Sequence, residues 1–96
     1  NCAPCHRAEG VASARIDLRA TTPMADTGLC GVVPGQGDLG IDGARLLVPG
    51  DPNRSILLQR MLRRGADQMP PLASFVPDTR GTATIGAWIQ GMSECP

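Results

Sequence analysis

Cys2-Ala3-Pro4-Cys5-His6 is the stretch on which the reading of this chain turns. Residues three apart lie on one face of a helical turn, so both thiols point the same way and the imidazole follows directly. In that arrangement the two thiols can reach the two vinyl groups along one edge of a haem and form thioethers. His6 then projects beneath the ring and can take an axial position on the iron. C-x-x-C-H is the spacing of c-type haem attachment. Three other readings compete. A Cys-x-x-Cys redox site calls for a thioredoxin-like βαβ pattern, which the sequence lacks. A zinc site could draw on four cysteines and His6, but no second closely spaced pair of ligands follows. A plain Cys2–Cys5 disulfide is the third.

Composition bears on the same question. The 96 residues make one domain, 1–96, with two aromatic residues (Phe75 and Trp88), twelve Gly and nine Pro. A chain of this size buries only about 60% of its unfolded surface and needs a staple or a cofactor. Bulky groups that usually dominate a core are nearly absent. A haem would supply the missing apolar mass. Nine basic residues, all Arg, balance nine acidic ones, so there is no electrostatic footprint for nucleic acid. No run approaches 18 consecutive apolar residues, so no membrane span is expected.

Outward from the motif, the chain reads as all-α and loop-rich. Between Thr21 and Gly50 lie seven Gly and three Pro, too much punctuation for a regular element. The apolar inserts Leu29, Val32-Val33 and Leu46-Leu47-Val48 argue against disorder, and a loop wrapped over a flat apolar cofactor fits them. A helix of about three turns is expected next. Asp51 caps it, Pro52 takes its first position and Gly65 ends it. Ile56, Leu57, Leu58, Met61 and Leu62 form its apolar stripe. Prolines at 70, 71 and 77 then impose an extended segment. Asp78 caps a last helix with Ile85, Trp88, Ile89 and Met92 at i, i+3, i+4, i+7.

A six-coordinate haem needs a ligand opposite His6, and the chain has no second histidine. The candidates are Met24, Met61, Met69 and Met92. Met61 and Met92 fall on apolar helix stripes, where a Met usually fills the core. Met24 sits in the Gly-rich loop. Met69 lies between two helices on a proline-stiffened segment able to hold its sulfur at a fixed distance, and it is the leading candidate. Met24 and an open or externally ligated site are the alternatives.

Together, Cys2-Ala3-Pro4-Cys5-His6, the Gly-rich middle, Met69-Pro70-Pro71 and the closing Ala87-Trp88-Ile89 helix resemble class I (monohaem) cytochrome c. Val48-Pro49-Gly50-Asp51-Pro52-Asn53-Arg54-Ser55, followed by Met69-Pro70-Pro71-Leu72, is similar to bacterial haem c domains joined to quinoprotein-type sugar dehydrogenases and to large planctomycete-type proteins. The resemblance implies a small cytochrome c-like domain with haem c on Cys2 and Cys5. It also implies His6 and Met69 as axial iron ligands, and attachment in the bacterial periplasm or elsewhere outside the cytoplasm. One departure stands out. Class I domains carry a helix before the haem motif that packs on the C-terminal helix, and here only Asn1 precedes Cys2. That helix is expected to lie in a longer chain or an assembly partner covering the Ile85/Trp88/Ile89/Met92 stripe, with a different packing as the alternative.

Outside the cytoplasm, the remaining Cys30 and Cys95 are expected to pair, with free thiols or an intermolecular bridge as alternatives. Arg60, Arg63 and Arg64 share one face of the expected helix, and Arg15 and Arg19 flank Ile16-Asp17-Leu18. Each is either a solvated charge or a partner for a haem propionate or an acidic redox protein. The leading functional expectation is therefore an electron carrier rather than an enzyme, serving a redox partner protein. The others are an electron-accepting module of a larger or fused dehydrogenase, and a zinc- or disulfide-stapled interaction domain.

Overall fold

A computed structural model describes residues 2–96. Two α-helices, α1 (Ile56–Leu62) and α2 (Thr79–Gln90), are packed against one another, and single turns of 3-10 helix occupy Met24–Asp26 and Pro52–Arg54. Among the described residues the only β pairings are isolated parallel bridges, Cys30 with Leu47 and Arg45 with Ser55.

The core explains why so much loop stays ordered. Leu58 of α1 and Ile89 of α2 meet Leu29 and Leu47 of the Gly-rich segment, and all four are buried. Two of the apolar inserts also pair through their backbones. The Gly31 amide donates to the Leu47 carbonyl at 2.9 Å, and the Leu46 amide to the Val32 carbonyl at 2.8 Å. The loop is thus built around its own hydrophobic residues, which join the two helices in one cluster.

The expected three-turn helix from Pro52 to Arg64 is shorter and broken. Asp51 caps as expected, its carboxylate accepting from the amides of Asn53 and Arg54, but it caps a 3-10 turn. Ser55 then leaves the helical region (φ −91°, ψ 105°), and α1 starts afresh at Ile56. The Gly-rich segment causes the break. The carbonyls of Arg45 and Leu46 accept from the amides of Ile56 (2.9 Å) and Leu57 (3.0 Å), taking the place of a side-chain cap. Fully buried Ser55 seals the joint, its Oγ accepting from the Val48 amide and donating to the Asp51 carbonyl, both at 2.9 Å. Because α1 ends at Leu62, Arg63 and Arg64 do not share a helix face with Arg60.

The last helix has the expected start. Asp78 accepts from the Gly81 amide, and Gly91 follows the final turn. Ile89 is buried, Ile85 is partly buried against the core, and Trp88 is 41% exposed. Met92 packs on the core from beyond the helix end. A disulfide joins Cys30 to Cys95, with Cα atoms 5.8 Å apart, so the C-terminus is tied to the Gly-rich segment.

Candidate functional site

The Cys2–His6 motif forms a single turn. The amides of Cys5 and His6 both donate to the Cys2 carbonyl, at 3.2 and 2.9 Å, closing the turn. Both are free thiols; Cys2 is exposed and Cys5 partly buried. The turn is anchored from downstream. The Ala12 amide donates to the Cys5 carbonyl at 3.3 Å, and the Leu18 amide to the His6 carbonyl at 2.9 Å.

Cys5 and His6 open onto a cavity of about 760 Å³, inside the roughly 300–1,000 Å³ range of small-molecule and cofactor sites. Four stretches of chain wall it: residues 11–16 after the motif, 32–37 of the Gly-rich segment, α1 through Ile56, Leu57 and Arg60, and the connection that carries Met69. The backbone approaches closely at Gly28, where φ is +75° and an added Cβ would lie 2.9 Å from the Arg15 carbonyl.

Met69 stands apart from the other methionines. It lines the cavity that holds Cys5 and His6, whereas Met24 and Met92 pack against the hydrophobic core and Met61 lies outside the lining. Cys2 lies at the exposed end of its turn, away from the cavity wall. The structure thus brings three of the four expected site residues to one space, with Cys2 one turn away.

His6 supplies a direct test of whether the cavity fits a metal-bearing group. Its Nδ1 is buried with no hydrogen-bond partner among the described residues. Burial also holds its pKa below the ordinary histidine value, favouring the neutral ring that metal ligation requires. Lining the cavity with His6 are one free thiol (Cys5), the Met69 thioether and aliphatic walls, a soft and largely apolar set suited to a haem iron.

Two arginines line the cavity, Arg15 and Arg60. Arg60 ties two of its walls together. Its Nη2 donates to the Gln36 carbonyl at 2.8 Å, and its Nη1 lies 3.7 Å from the Asp67 carboxylate. Arg19 instead pairs with Asp17, and Arg64 reaches the connection after α1 through Ser74 and the Met69 carbonyl. Sequence reasoning did not separate these arginines, because it could not see that the helix ends at Leu62. It also missed Gln68, whose partners are backbone groups two to six residues away and leave no mark in residue type or spacing.

No helix among the described residues is long and apolar enough to cross a membrane. No protein-family model, curated protein or solved structure matches the chain.

Proposed function

We propose that this chain is an electron-transfer domain carrying a single haem c, with thioether links to Cys2 and Cys5 and with His6 and Met69 as axial ligands. The observation that carries the reading is the convergence of Cys5, His6 and Met69, alone among the methionines, on one cavity of about 760 Å³. Held there by Cys2, Cys5, His6 and Met69, a haem would supply a one-electron Fe(III)/Fe(II) couple, with His/Met ligation favouring a raised potential. The chain's own residues do the rest. His6 keeps a neutral ring, Met69 offers a thioether, and Leu57 and the aliphatic residues of the Gly-rich segment exclude water. Arg15 places positive charge on the lining, suited to a propionate carboxylate, whereas Arg60 is engaged by Asp67 and Gln36. With His6 and Met69 both holding the group, electron transfer would require no bond-making catalysis. The electron passes to and from a redox partner protein or a linked dehydrogenase.

The Cys30–Cys95 bridge favours this reading over a zinc-stapled domain, since it removes two of the four thiolates such a site would use. It also accords with a location outside the cytoplasm.

Expression in a bacterial host with periplasmic haem-attachment machinery tests the proposal. The purified chain should keep one haem per molecule through denaturation and show the sharp reduced bands of haem c. Cys2→Ser and Cys5→Ser should each lose a thioether. In the oxidised protein a weak Met-to-Fe(III) charge-transfer band should vanish in Met69→Leu and persist in Met24→Leu. A colourless product whose Cys2 and Cys5 both react with an alkylating agent would overturn the reading. Survival of the band in Met69→Leu would overturn the choice of ligand.

A further inference from the structure

Residues 69–77 present a puzzle that the proposed function does not resolve. If Met69 is an axial ligand, its sulfur must be held in place, yet the segment has little of what usually holds a loop. Leu72 is 79% exposed, Phe75 93% and Val76 74%, so burial of apolar surface contributes little. Prolines at 70, 71 and 77 supply no amide donors.

What secures the segment is a set of polar contacts converging on Met69 from both sides. Its amide donates to the Arg60 carbonyl in α1 at 2.9 Å. Arg64 spans from the helix end to the segment. One guanidinium nitrogen, Nη2, donates to the Met61 carbonyl (2.7 Å) and the Met69 carbonyl (3.4 Å). The other, Nη1, donates to Ser74 Oγ at 2.6 Å, and Ser74 Oγ donates on to the Val76 carbonyl. Gln68 works from the other side. Its Nε2 donates to the carbonyls of Pro70 (3.0 Å) and Ser74 (2.9 Å), while its Oε1 accepts from the Gly65 amide. Arg64 Nε is buried without a partner among the described residues, so the guanidinium gives up one hydrogen bond to keep this position. A planar fork can serve the helix end and the segment at once, which a single ammonium cannot do.

We infer that Arg64 and Gln68 are positioning residues that set how firmly Met69 holds its axial place, and so how readily an outside ligand displaces it. The inference rests on the proposed His6/Met69 ligation. Neither residue is part of the cavity lining; both act through the backbone on either side of Met69.

Imidazole titration of the oxidised, haem-loaded protein tests this, read through loss of the Met-to-Fe(III) band. Arg64→Ala, Arg64→Lys and Gln68→Ala should keep covalent haem and an unchanged reduced spectrum. Each should yield to imidazole at a concentration lower by roughly tenfold or more, in line with the loss of a charge-assisted or paired hydrogen bond. Arg63→Ala removes a neighbouring arginine outside the clamp and should titrate like the parent. Variants within twofold of the parent, or an equal shift in Arg63→Ala, would overturn the clamp alone. A parent without haem, or with a band that survives Met69→Leu, would overturn the ligand assignment itself. If Arg64→Ala does not accumulate, Gln68→Ala decides.

Discussion

Gly10 packs so closely on Cys5 that a Cβ added to it would lie 1.9 Å from the Cys5 carbonyl oxygen. No side-chain rotation relieves that clash, because a Cβ and a carbonyl oxygen are both fixed by the backbone. The Gly10 amide donates to Arg7 and the Ala12 amide to Cys5, so a shift at Gly10 would pull apart the bonds that set the direction of His6. Gly10→Ala is therefore expected to lower stability by about 2 kcal/mol, in the range of overpacking substitutions, and to reduce the fraction of chains that acquire haem. Gly91→Ala is the reference, since it lies outside the cavity lining and a Cβ there meets only ordinary contacts, the nearest at 3.5 Å. Thermal unfolding and the ratio of haem to protein in the two variants check the expectation; equal behaviour would contradict it.

Ser55 separates the 3-10 turn from α1 and is fully buried. Ser55→Ala removes the acceptor for the Val48 amide and the donor to the Asp51 carbonyl together. The expected cost is about 1–3 kcal/mol, the penalty for stranding a buried polar group. Asp51→Ala should cost about 1 kcal/mol, because its partners Asn53 and Arg54 are exposed and water can replace the cap. Urea unfolding of both variants would show the order, and a larger loss at Asp51 would reverse the account.

The same two residues mark the limit of what the sequence discloses. Asp51, Pro52 and Asp78 were legible because capping is local: residue type and offset carry the whole signal. The turn at Cys2–His6 was legible for the same reason. The break at Ser55 was not, since it comes from carbonyls of Arg45 and Leu46 some ten residues upstream, held there by the core contacts of Leu47. Met69 could be ranked first from its neighbours, yet its place on the cavity with Cys5 and His6 depends on how α1 and the Gly-rich segment pack. The contacts of Arg64 and Gln68 are side chain to backbone, and a backbone carbonyl looks alike in every residue.

The Cys30–Cys95 bridge closes a span of 65 residues that includes α1 and α2. In the chain-entropy model a loop of that length stabilises the folded state by about 4 kcal/mol. Cys30→Ser with Cys95→Ser should therefore unfold at lower urea than the parent, and adding a reductant should shift the parent but leave the double variant unmoved. Cys30 also follows Leu29, a residue of the cavity wall, so the double variant is expected to retain haem less well on heating. Equal unfolding midpoints with and without reductant would contradict the staple.

Asp17 is held by Arg19 through the guanidinium Nε, at 3.0 and 3.1 Å from its two carboxylate oxygens, and through the Arg19 amide at 3.1 Å. These hydrogen bonds, the guanidinium ones foremost, keep its pKa well below the ordinary carboxylate range. The sign of the pH dependence follows. The unfolded chain takes up the proton first, so the pair's contribution is complete above the unfolded carboxylate pKa and is lost as pH falls through the lower folded value. Arg19→Gln should therefore raise the Asp17 pKa toward about 3.9, the free-chain value, and its stability deficit at neutral pH should shrink in strong acid. Because Arg19 is half exposed, added salt should also narrow that deficit. A side-chain carboxyl NMR titration, with melts at neutral and acid pH, reads both effects. Titration of Asp17 in the parent at the free-chain value would refute the pairing.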